Sequence, residues 1–202
     1  MGEGRGAEYP LHRRAVVARL LGGRDDLLVI AGLGAPAWDV TAAAGDRALT
    51  FPLWGAMGGA AMVGLGLALA QPERRVVVVT GDGEMLMGLG ALATIAARQP
   101  ANLAIVVLDN ERYGETGMQP THTAGPTDLA AVAVGAGLPV AIEVFDEADL
   151  EAALPRIVAE PGPVFVNIKV RAEALPLVMP QKDGATLKDR FRGALLGARA
   201  GE

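Results

Sequence analysis

Two short polar segments hold the side chains best suited to chemistry, and each directly follows an apolar run. Gly81-Asp82-Gly83 ends one such run, and Asp109-Asn110 ends another. The stretch between Gly83 and Asn110 is long enough for one helix and one strand, so a crossover connection would bring Asp82 to the same sheet edge. Carboxylate and amide oxygens are hard ligands that suit Mg²⁺ or Ca²⁺ rather than a soft metal. The pattern predicts a divalent cation site.

Two side chains are too few to complete the coordination of such an ion. Backbone carbonyls, water and a ligand phosphate must supply the rest, which is how Mg²⁺ usually bridges a protein to a diphosphate. Gly81 and Gly83 would let phosphates approach the backbone, and the helix expected next offers free N–H groups at its positive end. The alternative is a surface turn followed by an unrelated asparagine, since Gly-Asp-Gly alone is a common tripeptide.

The elements that must position these residues alternate along the chain. Runs rich in Val, Ile and Leu predict strands buried on both faces at Leu27–Ala31, Val76–Thr80, Leu103–Leu108, Val140–Val144 and Val164–Val170, with a shorter candidate at Ala48–Phe51. Helices are predicted at Pro10–Leu21, Met57–Ala70, Glu84–Ala97, Thr127–Gly135, Asp146–Ala159 and Thr186–Leu196. This alternation predicts an α/β fold, with a doubly wound, mainly parallel sheet of five or six strands and helices on both faces. We expect one domain over residues 1–202, with a C-terminal tail and helix from about residue 171.

A second glycine segment follows the first predicted strand. Gly32-Leu33-Gly34-Ala35-Pro36-Ala37 fits the G-x-G-x-x-A form of a dinucleotide fingerprint. That fingerprint also needs an acid at the end of the next strand to hold a ribose hydroxyl, and the candidate Ala48–Phe51 ends in Pro52 instead. A tight strand-to-helix turn, with a minor role in cofactor contact, is the favoured interpretation.

Composition excludes several classes of function. The sequence contains no Cys and no Ser, which removes Cys and Ser nucleophiles, disulfides, thiolate zinc sites and iron–sulfur ligation by this chain. If the protein is an enzyme, a bound cofactor must carry the chemistry. The net charge of −5 argues against binding to nucleic acid or to an anionic membrane, and no segment is typical of a membrane span or a signal peptide. We expect a cytoplasmic protein, with His12, Arg13 and Arg14 on a solvated helix face.

With these residues in place, the sequence resembles the diphosphate-binding half of thiamine diphosphate enzymes, whose signature is GDG, a spacer of this length and an Asn pair. Here the pair is Asp109-Asn110. The resemblance implies that the Asp82 and Asn110 side chains and the Arg112 backbone carbonyl hold Mg²⁺. It also implies that Gly83 and Glu84 meet the diphosphate, with the Glu84 carboxylate turned away from the phosphate charge.

The turn Trp54-Gly55-Ala56-Met57-Gly58 occupies the place of another element of this family. By resemblance, the Gly55 carbonyl accepts a hydrogen bond from the 4′-amino group of the cofactor. Met57 would lie beneath the cofactor and force its bent conformation, which makes it a catalytic candidate; an ordinary core methionine is the alternative. The predicted cofactor-binding residues are therefore Gly55, Met57, Gly81, Asp82, Gly83, Glu84, Asn110, Arg112, Tyr113 and Gly114.

The segment from Asp109 to Gln119 resembles the phosphonopyruvate and sulfopyruvate decarboxylase branch, with its Tyr-Gly-x-Thr-Gly-x-Gln run, and Leu187–Phe191 resembles the end of that branch. Relatives carry a Thr-Gly-x-x-Ser-Arg-Glu type turn where this chain has Gly34–Asp39, so a phosphonate, a sulfonate or a carboxylate substrate head group stays open. Thr116 and His122 follow the metal loop. His122 is a second catalytic candidate, as a proton relay, with a surface loop position as the alternative.

The resemblance also implies that half of the active site comes from another chain. Thiamine enzymes need a glutamate from a pyrimidine-binding domain, and a chain of 202 residues filled by one domain has no room for it. We therefore expect a β-type subunit of a split 2-oxo acid decarboxylase, with thiamine diphosphate and Mg²⁺ as cofactors and an α-type partner that supplies the glutamate. The alternatives are a subunit of a carboligase or synthase, a subunit of a 2-oxoacid oxidoreductase, and a non-catalytic cofactor-binding or regulatory subunit.

Overall fold

A six-stranded parallel sheet forms the centre of the computed structural model, which describes residues 8–201. Its strands lie in the order β2-β1-β3-β4-β8-β7, and every neighbouring pair is parallel. The strands are β1 (Leu28–Ala31), β2 (Thr50–Pro52), β3 (Val76–Gly81), β4 (Leu103–Asp109), β7 (Val140–Val144) and β8 (Val164–Lys169). A separate antiparallel pair joins β5 (Arg112–Tyr113) to β6 (Gln119–Pro120).

Helices cover both faces of the sheet, and two apolar cores lie between the layers. The first core includes residues of α1 (Arg13–Leu21), α2 (Ala35–Ala44) and α7 (Glu147–Val158). The second includes residues of α3 (Ala60–Ala70), α4 (Asp82–Met87), α5 (Gly90–Arg98) and α6 (Leu129–Gly135), while α8 (Gly184–Leu196) packs beside β2. Alternate residues of each central strand enter opposite cores, which is why those strands are apolar on both faces. No helix in the described part of the chain is long and apolar enough to cross a membrane.

This architecture confirms the predicted α/β fold with helices on both faces, and most predicted elements lie within a few residues of their observed bounds. The predicted aspartate cap of α7 is also confirmed, because the Asp146 carboxylate accepts N–H bonds from Ala148 and Asp149. The polar tail after β8 contains no helix or strand before α8.

Two predicted helices need correction. The helix expected at Glu84–Ala97 consists of α4 and α5, because Gly88 (φ −110°, ψ 23°) leaves the helical conformation. The backbone there lies so close to Gly58 that a Cβ on Gly88 would be 2.3 Å from the Gly58 carbonyl oxygen. The helix expected at Met57–Ala70 begins at Ala60, since Ala56 (φ 56°) and Gly58 (φ 90°) occupy the left-handed region. The two breaks contact each other, since a Cβ on Gly58 would lie 3.2 Å from Met87.

The glycine segment at residues 32–37 forms the predicted strand-to-helix turn. Gly34 is the N-cap of α2 with a φ of 79°, and Pro36 lies in the first helical turn. The helix α2 itself was not among the predicted elements. The neighbouring strand β2 ends at Pro52 without an acidic residue, so the ribose-binding part of a dinucleotide site is absent there.

The prediction of a solvated face for Arg13 and Arg14 is wrong for Arg13. The Asp39 carboxylate, which is 0% exposed, accepts Arg13 Nε at 2.5 Å and Arg14 Nε at 2.8 Å. Arg13 is itself buried and also donates to the Glu173 carbonyl. The sequence did not indicate this ion pair, because its members are 26 positions apart and the helix α2, which carries Asp39, was not predicted.

We expect Asp39→Ala to destabilise the protein by about 3–5 kcal/mol, since it leaves a buried guanidinium without its counter-charge. The free energy of unfolding is measured by urea denaturation. Asp46→Ala is the matched control, because it breaks an exposed Arg190 pair and should cost at most about 1 kcal/mol. Equal losses in both variants would contradict this account of the Asp39 pair.

Candidate active site

The carboxyl ends of β3 and β4 lie side by side, as the crossover prediction required. Gly81 is paired with Leu108 in the sheet, so Asp82 and Asp109 leave it as neighbours. A cavity of about 240 Å³ opens at this edge. It is lined by Arg13, Leu33, Ala35, Pro36, Met57, Gly81, Asp82, Gly83, Glu84, Leu108, Asn110, Arg112, Tyr113, Gly114, Glu115 and Thr116.

Asp82 is buried at the floor of this cavity, with 2% of its surface exposed. Its Oδ2 accepts hydrogen bonds from the hydroxyls of Thr121 at 2.6 Å and Thr123 at 3.3 Å. Within the described residues no Lys, Arg or His forms an ion pair with it. Burial raises the pKa of Asp82 to about 7, and repulsion from the Asp109 carboxylate adds to the rise. Both effects disfavour the ionised carboxylate, and a cation bound beside Asp82 would stabilise it.

The donor set around Asp82 fits Mg²⁺. Asn110 and Arg112 line the same cavity, and the Asn110 Oδ1 accepts the Arg112 backbone N–H at 3.0 Å, which keeps the side chain folded over its own loop. No group of three or more His, Asp or Glu that could hold a metal occurs among residues 8–201. Because Mg²⁺ is commonly bound through one or two protein oxygens together with a ligand phosphate, a site built from Asp82, Asn110 and a backbone carbonyl matches its needs.

Gly83 gives the cavity its space. A Cβ at this position would lie 2.8 Å from the Tyr113 ring, so any larger residue would push the ring away. A Cβ on Gly81 would meet only Pro36, at 3.9 Å, so this position is less crowded. The helix α4, which begins at Asp82 and contains Gly83, has only six residues and is shorter than predicted. The prediction of diphosphate binding therefore depends on the two glycines more than on a long helix dipole.

The Glu84 carboxylate is used inside the protein. Its Oε2 accepts the Thr80 hydroxyl at 2.8 Å and the Leu33 N–H at 3.1 Å, and its Oε1 accepts the Ala60 N–H at 3.3 Å. Burial raises the pKa of Glu84, and these bonds oppose the rise. A Cβ on Gly32 would lie 1.9 Å from Oε2, so only glycine fits there. Glu84 thus joins the β1–α2 loop to the start of α3, with its carboxylate occupied by internal donors.

The turn before α3 places Met57 at the cavity and leaves Gly55 outside it. Met57 lines the cavity while 40% of its surface is exposed, and its Cε would lie 3.7 Å from a Cβ on Gly83. It is not an ordinary core methionine. Gly55 lies on the exposed side of the turn, and its proposed contact with the cofactor stays a prediction.

The structure places Thr116 and His122, the two residues predicted to follow the loop, in different surroundings. Thr116 lines the cavity, as do Tyr113 and Gly114. His122 is exposed on a short 3-10 turn outside the cavity lining, because its neighbours Thr121 and Thr123 turn inward instead. The structure gives no support to a proton relay through His122.

The sequence analysis did not single out three residues that lie behind the loop of Asn110 and Arg112. Thr121 and Thr123 contact Asp82, and Lys169 forms an ion pair with Asp109. Thr121 and Thr123 flank His122 in the sequence, and this alternation could have indicated a loop segment that turns its two hydroxyl groups inward. Lys169 gave a weaker indication, as a charged residue inside the apolar run Val164–Val170.

Comparisons with known proteins identify the family of this chain. A family model described as "Thiamine pyrophosphate enzyme, C-terminal TPP binding domain" matches residues 34–168. The sulfopyruvate decarboxylase subunit beta of Methanothermobacter thermautotrophicus is 42% identical over 188 residues, which are 93% of this chain and 97% of that protein. The phosphonopyruvate decarboxylase of Streptomyces viridochromogenes is 43% identical over 157 residues, or 77% of this chain, but only 39% of that protein is spanned.

The fold is also found among solved structures. A Mycobacterium smegmatis protein described as thiamin diphosphate-dependent matches 81% of this chain and 32% of its own, with a TM-score of 0.68 and 24% identity. At that identity the match concerns the fold alone. The family model covers most of the sheet and the two polar segments that follow β3 and β4, and one relative aligns almost end to end. The chain therefore belongs to the thiamine pyrophosphate enzymes, in the family defined by their C-terminal TPP-binding domain.

Proposed function

We propose that this chain is the β-type subunit of a split thiamine diphosphate-dependent 2-oxo acid decarboxylase, similar to sulfopyruvate and phosphonopyruvate decarboxylases. One observation carries the proposal: the chain aligns with 97% of a sulfopyruvate decarboxylase subunit beta, but with only 39% of a phosphonopyruvate decarboxylase. A chain that matches a whole subunit in one relative and a fraction of another is expected to act with a second chain. The chain as a whole then forms one cofactor-binding domain.

In this proposal the cavity binds the Mg²⁺-diphosphate half of the cofactor. The Asp82 carboxylate, the Asn110 side chain and the Arg112 carbonyl hold Mg²⁺, while Gly81 and Gly83 let the diphosphate approach the backbone. The buried Asp82, which has hydroxyl partners and no ion pair among the described residues, is the main support for the cation. The fixed Glu84 carboxylate supports it too, since its own donors keep it from competing for the metal.

When bound, thiamine diphosphate supplies a carbon nucleophile and an electron sink for the loss of CO₂ from a 2-oxo acid. The residues of this chain orient it. Met57 lines the cavity, where it would support the bent conformation of the cofactor. The carbonyl of Gly55, two residues earlier, would accept a hydrogen bond from the amino group of the cofactor. Tyr113 and Thr116 would close the diphosphate end.

An apolar surface beside the cavity supports the need for a partner. The outer face of α3 exposes Met62, Val63, Gly66 and Leu69, and the whole helix carries no charged residue. Met87, 63% exposed at the end of α4, lies next to the turn that carries Met57. Exposed apolar patches of this kind mark interaction surfaces. We propose that the α-type subunit covers this face and extends its pyrimidine-binding domain, with the required glutamate, across the cavity.

The substrate is proposed to be a small 2-oxo acid. In place of the family's Ser-Arg-Glu type turn, this chain has Asp39, whose carboxylate is occupied by Arg13 and Arg14. No arginine comes from this turn, and the Arg13 guanidinium that lines the cavity is already paired. The head group recognised by the complex must therefore depend on residues outside this turn.

Asp82→Ala should strongly weaken cofactor binding, because it removes the buried carboxylate of the proposed metal site. We expect the Mg²⁺ affinity at fixed thiamine diphosphate to fall by about 100-fold or more. Isothermal titration calorimetry on the two-subunit complex measures it, with Asp189→Ala as a control at an exposed carboxylate. Unchanged affinity in Asp82→Ala, or binding of NAD without binding of thiamine diphosphate, would contradict the proposed site.

The complex of this chain with its α-type partner should release CO₂ from a 2-oxo acid only when thiamine diphosphate and Mg²⁺ are present. Sulfopyruvate, phosphonopyruvate and pyruvate form the test panel, and the aldehyde product is measured together with CO₂. Each chain alone should show less than about 1% of the rate, since each would hold half of the site. Thiamine-dependent turnover by this chain alone would overturn the split-site proposal, and condensation products in place of aldehyde would identify a synthase.

A further inference from the structure

A buried lysine lies directly behind the loop that carries Asn110 and Arg112. Lys169 ends β8 and is 8% exposed. Its Nζ lies 2.8 Å from Asp109 Oδ2 and 3.2 Å from Glu111 Oε1. The ammonium thus contacts the two carboxylates on either side of Asn110 in the sequence.

The same two acidic residues fix the loop through further hydrogen bonds. Asp109 Oδ1 accepts the Glu111 backbone N–H at 3.1 Å and the Thr123 hydroxyl at 2.7 Å. The Glu111 carbonyl accepts the Thr121 N–H at 3.0 Å. The beginning and the end of the loop are therefore both tied to the pair of acids that Lys169 contacts, and Thr121 and Thr123 extend the network to Asp82.

Charge makes this arrangement depend on the lysine. Asp109 is fully buried, Glu111 is 4% exposed, and the buried Asp82 shares Thr123 with Asp109. Lys169 is the cation that forms ion pairs with Asp109 and Glu111 in the described part of the chain. Removing one member of a buried ion pair leaves a charge without compensation, which strongly favours rearrangement of the segment that carries it.

The backbone of the loop needs such support. Glu111 has a φ of 61°, in the left-handed region that residues with side chains rarely adopt. Its side chain accepts hydrogen bonds from Lys169 Nζ and from the Tyr9 hydroxyl, the latter at 2.6 Å. These contacts hold Glu111 in a conformation that turns the chain between Asn110 and Arg112.

We propose that Lys169 is a positioning residue for the metal site. By neutralising Asp109 and Glu111 it holds the loop in the shape that presents the Asn110 side chain and the Arg112 carbonyl next to Asp82. This inference rests on the proposed function, because it takes those groups to be ligands of the cofactor's Mg²⁺. Groups that orient metal ligands without contacting the ion typically contribute 10–100-fold to metal affinity.

The test compares Lys169→Met with Lys188→Met, which removes an exposed lysine paired with Asp189. In the two-subunit complex at fixed thiamine diphosphate, we expect Lys169→Met to raise the Mg²⁺ concentration for half-maximal cofactor binding by about 10–100-fold. The kcat at saturating Mg²⁺ should stay within about threefold. Lys169→Arg, which keeps the charge, should recover most of the affinity, and Lys188→Met should match the wild type. If Lys169→Met does not fold, Lys169→Gln takes its place.

A second measurement concerns the loop itself. Amide hydrogen exchange on this chain without cofactor should be faster at Glu111 and Thr121 in Lys169→Met, while β1 amides stay as in the wild type. A lower melting temperature with unchanged Mg²⁺ dependence would show a merely structural lysine and overturn the proposal. Unchanged exchange at both amides would overturn it as well. If the wild-type complex bound no thiamine diphosphate, the proposed function would fail, and the exchange rates would still decide whether Lys169 orders the loop.

Discussion

Burial of carboxylates at the carboxyl edge of β3 and β4 is the constraint on which the site depends. Asp82 and Asp109 leave adjacent parallel strands and are both shielded from water. Asp109 has a lysine as its counter-charge, whereas Asp82 has the hydroxyls of Thr121 and Thr123. Hydroxyl donors offset only part of the cost of burying a charge, so a cation bound at Asp82, as proposed, would stabilise the ionised carboxylate.

A third buried acid fixes the scaffold around that charge. The Glu84 carboxylate accepts hydrogen bonds from Thr80, Leu33 and Ala60, so it joins three segments that meet at the cavity. The absence of a side chain at Gly32 makes this possible. The glycine segment that resembles a dinucleotide fingerprint therefore has a structural reason of its own. It accommodates a carboxylate of the same protein, and it starts the helix that carries Asp39.

The cavity and the apolar face next to it are two parts of one surface. Met57 lines the cavity and is 40% exposed, in the turn that directly precedes α3. Exposure of the apolar side chains of Met62, Val63 and Leu69 to water is unfavourable, and covering them with another protein would stabilise this helix. In the proposed complex, a partner bound to this face would supply the second half of the site.

The sequence by itself determined the fold class and the order of most elements, because continuous apolar runs and their polar ends follow from local patterning. It also predicted that Asp82 and Asn110 would meet at one sheet edge, and both line the cavity there, since parallel strands separated by one crossover bring their carboxyl ends together. Their part in binding a metal stays a prediction. Only the tertiary structure decided that His122 faces outward, that one helix breaks at Gly88, and that Arg13 and Lys169 are buried against acids distant in the chain. Such pairs join residues far apart in sequence, and their stability comes from shared burial, which no local pattern encodes.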